Sequence, residues 1–346
     1  MKYITLGSTG ICAPQNGFGA LPIQRDTQDV AVALLRKAYE GGMTFFDTAR
    51  MYTDSEEKIG IAFGDMDIRD KIYIATKTTA LTPEAFWQEL ETSLRLMKTD
   101  YIDIYQFHNP PTVFKPGDGS GMYECMLEAK AQGKIRHIGY TSHSLENAWE
   151  CVRSGLYETL QFPFSYISGQ ADEKLVDACA DANMGFIAMK GLAGGLLTNS
   201  AAAFAFLSCY DNLMPIWGIQ HEYELDEFLS YNDNPPAINA ELMEQIVRDC
   251  EELQGGFCRS CGYCMPCPMG IDIRQAARMM QLIRRSPAEP YLTEEWQQKM
   301  ALIEKCTGCG KCASKCPYSL PVPELLKKNL EDYKKIVSGE INVFNH

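Results

Sequence analysis

The sequence predicts a (β/α)8 TIM barrel followed by a smaller, mostly helical C-terminal domain organised around cysteine. Three observations predict it. Short apolar runs alternate with amphipathic helical patterns through the first two-thirds of the chain, as parallel βα units require. Eight such runs occur, the number that closes a barrel. The fourteen cysteines are unevenly spread, with eight of them between Cys258 and Cys316. An open, doubly wound dinucleotide-binding sheet would carry GxGxxG after its first strand, and Gly17-Phe18-Gly19-Ala20-Leu21-Pro22 does not supply it.

Strands are expected at residues 17–20, 44–47, 72–77, 101–107, 135–140, 159–162, 185–189 and 213–218. Between them, residues 29–39 place Val30, Ala33, Leu34, Lys37 and Ala38 at helical spacing and end at Gly41-Gly42, a C-cap signal. Residues 81–97 offer Thr82 as N-cap, Pro83 at the first helical position, and Phe86, Leu90, Leu94 and Met97 at steps of three or four. Residues 145–152 and 174–182 read the same way. The break at Asn232-Asp233-Asn234-Pro235-Pro236 closes the barrel, giving domains 1–235 and 236–346, and residues 240–253 form a helical connector.

The chain has 346 residues, enough for one barrel and a small second domain, and a net charge of −13. That acidity argues against nucleic-acid and anionic-membrane binding. No apolar run reaches membrane-spanning length, and the first residues carry no signal core, so a soluble, cytoplasmic protein is expected. Cys12, Cys125, Cys151, Cys179, Cys209 and Cys250 have no ligand spacing and read as reduced thiols.

In barrels, chemistry gathers at the C-terminal ends of strands. Asp47, Lys77 and His108 each end an apolar strand, and Tyr52 follows Asp47 closely. A phenol is too weak an acid to protonate a carbonyl at neutral pH. An ammonium beside it lowers its pKa, a carboxylate holds the ammonium, and a histidine can orient the carbonyl. Any one of these residues alone is more simply a structural ion pair or a boundary histidine, whereas four at the mouths of neighbouring strands are not readily accidental.

The run Asp47-Thr48-Ala49-Arg50-Met51-Tyr52, with Ser55-Glu56 and Gly60 downstream, resembles the DTAxxYGxSE signature of the aldo/keto reductase family, with Thr53 in place of the usual Gly. Lys77 and His108 fall where that family's Lys and His belong, and the resemblance covers about residues 1–230. It implies a catalytic tetrad of Asp47, Tyr52, Lys77 and His108, with Tyr52 as general acid, and NAD(H) or NADP(H) across the barrel mouth. It further implies cofactor contacts at Gly19, Thr141, Ser142, Gln161, Met189, Lys190, Gly191, Leu192, Gly194 and Gln220. Within these, Thr141, Ser142 and Gln161 would meet the carboxamide, Met189 would cover the nicotinamide, and the amides of residues 191–195 would cradle the pyrophosphate. Residues 217–227, after the eighth strand, contain no Lys or Arg where NADPH-preferring members carry them, and they contain four acidic residues. Glu224 there would repel a 2′-phosphate, so NAD(H) is expected to bind at least as tightly as NADP(H).

The cysteine run Cys258-x2-Cys261-x2-Cys264-x2-Cys267-Pro268 is followed by Cys306-x2-Cys309-x2-Cys312-x3-Cys316-Pro317. Three thiolates at steps of three wrap one corner of a [4Fe-4S] cubane, and the cysteine before Pro ligates the other cluster. One cluster is thus assigned Cys258, Cys261, Cys264 and Cys316, and the other Cys306, Cys309, Cys312 and Cys267. Zinc is the competing reading, but it needs closed sets of four rather than interleaved sets of three plus one. Between the runs, Ile273, Ala276, Ala277, Met280 and Ile283 form an apolar helical face. The module resembles a bacterial two-cluster ferredoxin with a longer spacer, and the whole chain resembles iron-sulfur-fused aldo/keto reductases.

The leading functional reading is an oxidoreductase that interconverts a small carbonyl compound and its alcohol, or reduces a related molecule. Its clusters would exchange electrons with a ferredoxin- or flavodoxin-like carrier. Hydride transfer moves two electrons and a cubane moves one, and no flavin motif bridges them. Two alternatives therefore stand beside it: an ordinary reductase with structural clusters, and a non-catalytic redox sensor or electron-transfer adaptor. Phe18, Trp87 and Phe114 are candidates both for the substrate pocket and for the core.

Overall fold

The computed structural model describes residues 1–253, 257–285 and 288–341. They pack as two compact units, Met1–Gly191 with Ser200–Glu244, and Leu192–Asn199 with Gln245–His346. The second unit therefore takes in a loop that follows a barrel strand as well as the C-terminal chain.

The first unit opens with an antiparallel hairpin, β1 (Tyr3–Thr5) and β2 (Cys12–Pro14). The hairpin escapes sequence reading because three residues per strand are too few to show a period. Eight strands follow: β3 (Gly17–Gly19), β4 (Phe45–Asp47), β5 (Tyr73–Thr78), β6 (Ile102–His108), β7 (Ile135–Thr141), β8 (Thr159–Pro163), β9 (Gly185–Met189) and β10 (Leu213–Gly218). They are parallel and close as β10-β3-β4-β5-β6-β7-β8-β9. Each lies within one residue of its expected bounds, because strands buried on both faces are continuous apolar runs that end at turn residues.

The helices of the first unit are α1 (Gln28–Glu40), α2 (Ser55–Phe63), α3 (Pro83–Leu96), α4 (Met122–Ala131), α5 (Leu145–Ser154), α6 (Gln170–Asp181), α7 (Ser200–Leu207) and α8 (Glu222–Asp233). α9 (Ala240–Glu252) continues into the second unit. The expected caps of α3 are present: the Thr82 hydroxyl accepts from the Ala85 amide at 3.3 Å, and Pro83 opens the helix. In α1 the buried face is Ala31, Leu34, Leu35 and Ala38, while Val30 and Ala33 are exposed. The expected stripe is thus rotated by one residue, since 31-34-35-38 keeps the three-four spacing on one side. Gly60 is required by packing, because a Cβ there would stand 2.0 Å from the Leu96 carbonyl oxygen of α3. Phe18 and Phe114 are core residues, in ring contact with Phe46 and Phe107, and Trp87 lies on the outer helix α3 beneath the Lys134 ammonium. The core therefore claims Phe18 and Phe114, while Trp87 is half-buried on α3.

The second unit contains α10 (Ile273–Ala276), α11 (Met279–Arg285), α12 (Glu294–Ala301), α13 (Lys311–Ser314) and α14 (Val322–Val337). The predicted face Ile273, Ala276, Ala277, Met280 and Ile283 is buried, together with Met300, Ile303, Leu326 and Tyr333. Residues 286 and 287 of the expected helical spacer lie outside the described residues. Asn329, buried on α14, donates to the Ala276 carbonyl at 2.9 Å and so satisfies the end of α10. Among the described residues, no helix is long and apolar enough to cross a membrane.

Candidate active site and cysteine module

Strand register places the site residues at one level of the barrel. Gly19 pairs with Asp47, Asp47 with Ala75, Lys77 with Gln106, His108 with Thr141, and Thr141 with Gln161. Lys77 and Asp47 are both buried, and the ammonium donates to Asp47 Oδ1 at 2.7 Å and to the Thr48 carbonyl at 2.6 Å. An ammonium has three N–H groups, so one remains. The Tyr52 ring centroid lies 5.1 Å from Lys77 Nζ, and its edge meets His108 with centroids 5.8 Å apart. The structure thus brings Asp47, Tyr52, Lys77 and His108 together.

Burial pushes the Asp47 carboxyl up and the Lys77 ammonium down, and the attraction between the two opposes both shifts. Burial, with the Lys77 charge adding to it, pushes His108 down to about 3. The imidazole is therefore neutral across the physiological range and presents one N–H and one bare nitrogen. His108 Nδ1 and Asp47 Oδ2 have no hydrogen-bond partner among the described residues.

A polar chain that sequence reading did not foresee continues through the barrel. Thr141 Oγ1 donates to Gln106 Oε1 at 3.2 Å, Gln106 Nε2 donates to Gln161 Oε1 at 2.8 Å, and Gln161 Nε2 reaches Asp47 Oδ1 at 3.4 Å. The signal was available in Gln106, an amide inside the apolar strand Ile104-Tyr105-Gln106-Phe107, where a buried polar group demands a partner. Arg50 and Glu56 were also missed as a pair. The Glu56 carboxylate, buried, accepts from Arg50, from Thr76 Oγ1 at 2.7 Å and from Ser93 Oγ at 2.7 Å. This pair bridges residues 50 and 56 and so clamps the segment that carries Tyr52. Thr53 adopts φ +43°, the left-handed conformation a glycine would take freely, so the backbone shape survives the substitution at a cost of about 1 kcal/mol.

The expected cofactor contacts are less uniform. Ser142 Oγ is engaged in a local turn with Ser144, and Thr141 is tied to Gln106. Met189 ends β9, and Lys190 follows it at φ +60°. Gln220 lies between Arg25 and Asp26, each at 3.4 Å. Glu224 accepts from the amides of Gln220 and His221, each at 2.8 Å, and so caps α8. Leu192 and Gly194 belong to the second unit.

In the cysteine module, Cys264, Cys267, Cys306, Cys309 and Cys312 line one cavity with Pro268, and no thiol there is in a disulfide. Cys258 is pushed up by burial, with Cys261 and Cys316 close enough to add to the effect. Thiols are the donor type that iron-sulfur cubanes take, and Cys267 lies beside the second run, while among the described residues no group of three or more His, Cys, Asp or Glu is placed to hold a metal ion as it stands.

Residues 257–321 match the 4Fe-4S dicluster domain. The curated relatives include the aldo-keto reductase YhdN of Bacillus subtilis, 29% identical over 215 residues, covering 57% of this chain and 64% of that protein. This chain thus spans less than two-thirds of that relative's length. An NADH-specific methylglyoxal reductase of Escherichia coli is 26% identical over 232 residues, covering 58% of this chain and 70% of that one. Among solved structures, the aldo-keto reductase AKR11C1 from Bacillus halodurans shares the fold with a TM-score of 0.63 at 20% identity, covering 72% of this chain and 96% of that one. Residues 15–205, more than half of the sequence, match the aldo/keto reductase family, and the chain belongs to that family.

Proposed function

We propose that the barrel interconverts a small carbonyl compound and its alcohol with a nicotinamide nucleotide, and that the second unit carries two [4Fe-4S] clusters. The reading rests on one observation: a buried Lys77–Asp47 pair stands beside the Tyr52 ring, with neutral His108 on its edge. The ammonium of Lys77 stabilises the phenolate form of Tyr52, which makes the phenol a usable proton donor to a carbonyl oxygen. Asp47 fixes the ammonium, Gln161 and Gln106 fix Asp47, and His108 donates its single N–H to orient the substrate oxygen. Thr141, Ser142, Gln161 and Met189 would hold the nicotinamide end of the nucleotide, and residues 191–195 the phosphates. When bound, the reduced nicotinamide supplies the hydride. The relative named as a methylglyoxal reductase supports a small oxo-aldehyde as substrate.

Glu224 already occupies the amides of Gln220 and His221 just before α8, and Lys37 nearby is paired with Glu222 and Asp226. These pairings support a preference for NAD(H), or at least no preference for NADP(H). Calorimetric titration should give NADH a Kd equal to or below that of NADPH, and clearly tighter NADPH would place the 2′-phosphate elsewhere.

When bound, a [4Fe-4S] cluster supplies one electron at a time. A structural role for the clusters has its own support, since Cys264, Cys267, Cys306, Cys312 and Cys316 pack against the core of the second unit. Mixing NADH with the anaerobic protein, with and without methylglyoxal, tests the whole reading. NADH consumption only with the aldehyde, and no bleaching of the clusters, is the reductase with structural clusters. Bleaching by NADH alone is the electron-transferring form. Nucleotide binding with neither outcome, across a panel of aldehydes, ketones and quinones, would leave the adaptor reading.

A further inference from the structure

We propose that Arg278 is a positioning residue for the nucleotide phosphates: from the cysteine module it fixes the shape of the loop that follows β9. The inference rests on the reading that this loop takes the phosphates.

The loop has an unusual backbone. Lys190, Ala193, Gly194 and Gly195 have φ of +60°, +49°, +69° and +88°, and two of the four are not glycine. A change from negative to positive φ, as between Leu192 and Ala193, turns successive amides toward one side, the geometry of an anion-binding nest. Internal bonds close part of the turn, from the Gly195 amide to the Leu192 carbonyl at 2.8 Å and from the Leu197 amide to the same carbonyl at 3.2 Å. The amide of Ala193, a buried residue, donates to no acceptor among the described residues, and Gly194 beside it is exposed. Donors left in that condition call for a ligand.

Arg278 supplies what the internal bonds do not. It precedes α11, its side chain is 7% exposed, and its Nη1 donates to the Gly194 carbonyl at 2.7 Å. A Cβ on Gly194 would stand 3.1 Å from that same nitrogen, so the contact is close as well as polar. The Gly194 carbonyl lies in the peptide plane of the Gly195 N–H, which donates to the Leu192 carbonyl, and that carbonyl lies in the plane of the Ala193 N–H, so holding the first carbonyl on the guanidinium side orients the Ala193 amide through two linked peptide planes. A buried guanidinium on a neutral carbonyl, with its Nε lacking a partner among the described residues, is an expensive arrangement that packing alone would not select. The guanidinium also lies near the first cysteine run. The Cys258 thiol sits 3.9 Å from the carbonyl of Arg274, one helical turn before Arg278, and Cys258 is among the groups whose charge favours the guanidinium. The residue that shapes the loop is therefore seated beside a proposed cluster ligand.

The test uses the anaerobically purified full chain and reads iron content and the Kd for NADH. Arg278→Gln and Arg278→Met remove the donor, whereas Arg278→Lys keeps a charged donor. Gly195→Val strains the loop directly, since its φ is +88° and nothing lies within 4 Å of the new Cβ. With iron at the parent's level, Arg278→Gln and Arg278→Met should weaken NADH binding about tenfold, as the loss of one charge-assisted hydrogen bond does. Arg278→Lys should recover most of that loss, and Gly195→Val should weaken binding as well. Weakening by Gly195→Val but not by the Arg278 variants would overturn the role of Arg278 and leave the loop as the phosphate site. No change in any variant would sink the phosphate reading and the proposal with it. Weakening by the Arg278 variants alone would make Arg278 a direct ligand rather than a positioning residue. Loss of iron in both Arg278→Gln and Arg278→Met would make it a part of the module's fold, which also contradicts the proposal.

Discussion

In the barrel, the charged side chains of the site hold one another, whereas in the cysteine module the thiol side chains are held mainly by the backbone that carries them. Asp47 receives Lys77 and Gln161, Gln161 receives Gln106, and Gln106 receives Thr141. Each member comes from a different strand, and the closed sheet fixes the spacing. The thiols sit on turns and on the four-residue helix α13, with contacts such as the Ser260 amide donating to Cys258 Sγ at 3.4 Å. Burial pushes Cys258, Cys264 and Cys312 up, Cys264 to about 12. The difference is one of preorganisation. The barrel site is assembled by its own hydrogen bonds before any ligand arrives. In the module the thiols have no such network, and any cluster they bind would add its binding free energy to folding.

The largest effect is expected at Cys267. Cys267→Ser should reduce iron from about eight to about four per chain if two cubanes form. It should remove the signal of the cluster assigned to Cys306, Cys309 and Cys312, and leave NADH binding by the barrel. Loss of the cluster assigned to Cys258, Cys261 and Cys264 instead would reverse the partition, and stoichiometric zinc in the parent would remove the clusters altogether.

The next effect lies in the barrel. Lys77→Met leaves Asp47 as a buried charge without a cation, which costs about 3–5 kcal/mol of stability. The double variant Asp47→Asn with Lys77→Met should regain much of that stability in urea unfolding. Both should lose about 10²–10⁴ in the rate of carbonyl reduction, because the phenol's pKa is no longer lowered. If the double variant recovered activity along with stability, the pair would be a structural element only.

A smaller effect distinguishes the two regions by pH. His108 has a folded pKa near 3 against an ordinary value of 6.5, so between those values the unfolded chain binds the proton first. Stability from this residue is complete above pH 6.5 and falls as pH drops toward 3, by no more than about 1.4 kcal/mol per pH unit. In His108→Gln the acid limb of thermal stability should be shallower. An unchanged limb would mean the imidazole is not held neutral.

What could be read from the sequence divides along the same line. The barrel strands were legible to within a residue because each is a buried apolar run, and Asp47, Lys77 and His108 were legible because each ends one. The bond from Gln106 to Gln161 was not, since it joins residues 55 positions apart and only the closed register brings them together. The stripe of α1 was displaced by one residue because Val30 is apolar yet faces outward, and apolar type alone does not fix which side a helix buries. In the module, cysteine spacing was read easily, and Ile273, Ala276, Ala277, Met280 and Ile283 were read correctly as a buried face. Arg278 stands in the turn between α10 and α11 and was invisible, because an arginine in a turn gives no sign of which carbonyl it will meet.

The most direct test of the account is the rate of NADH-dependent carbonyl reduction by Tyr52→Phe. The substitution keeps the ring beside Lys77 and His108 and removes only the hydroxyl. With a substrate identified from the panel, the account predicts a loss of about 10²–10⁴ in rate, with NADH affinity and iron content as in the parent. Reduction of that substrate at the parent's rate would contradict it, and would mean that the barrel's proton does not come from Tyr52.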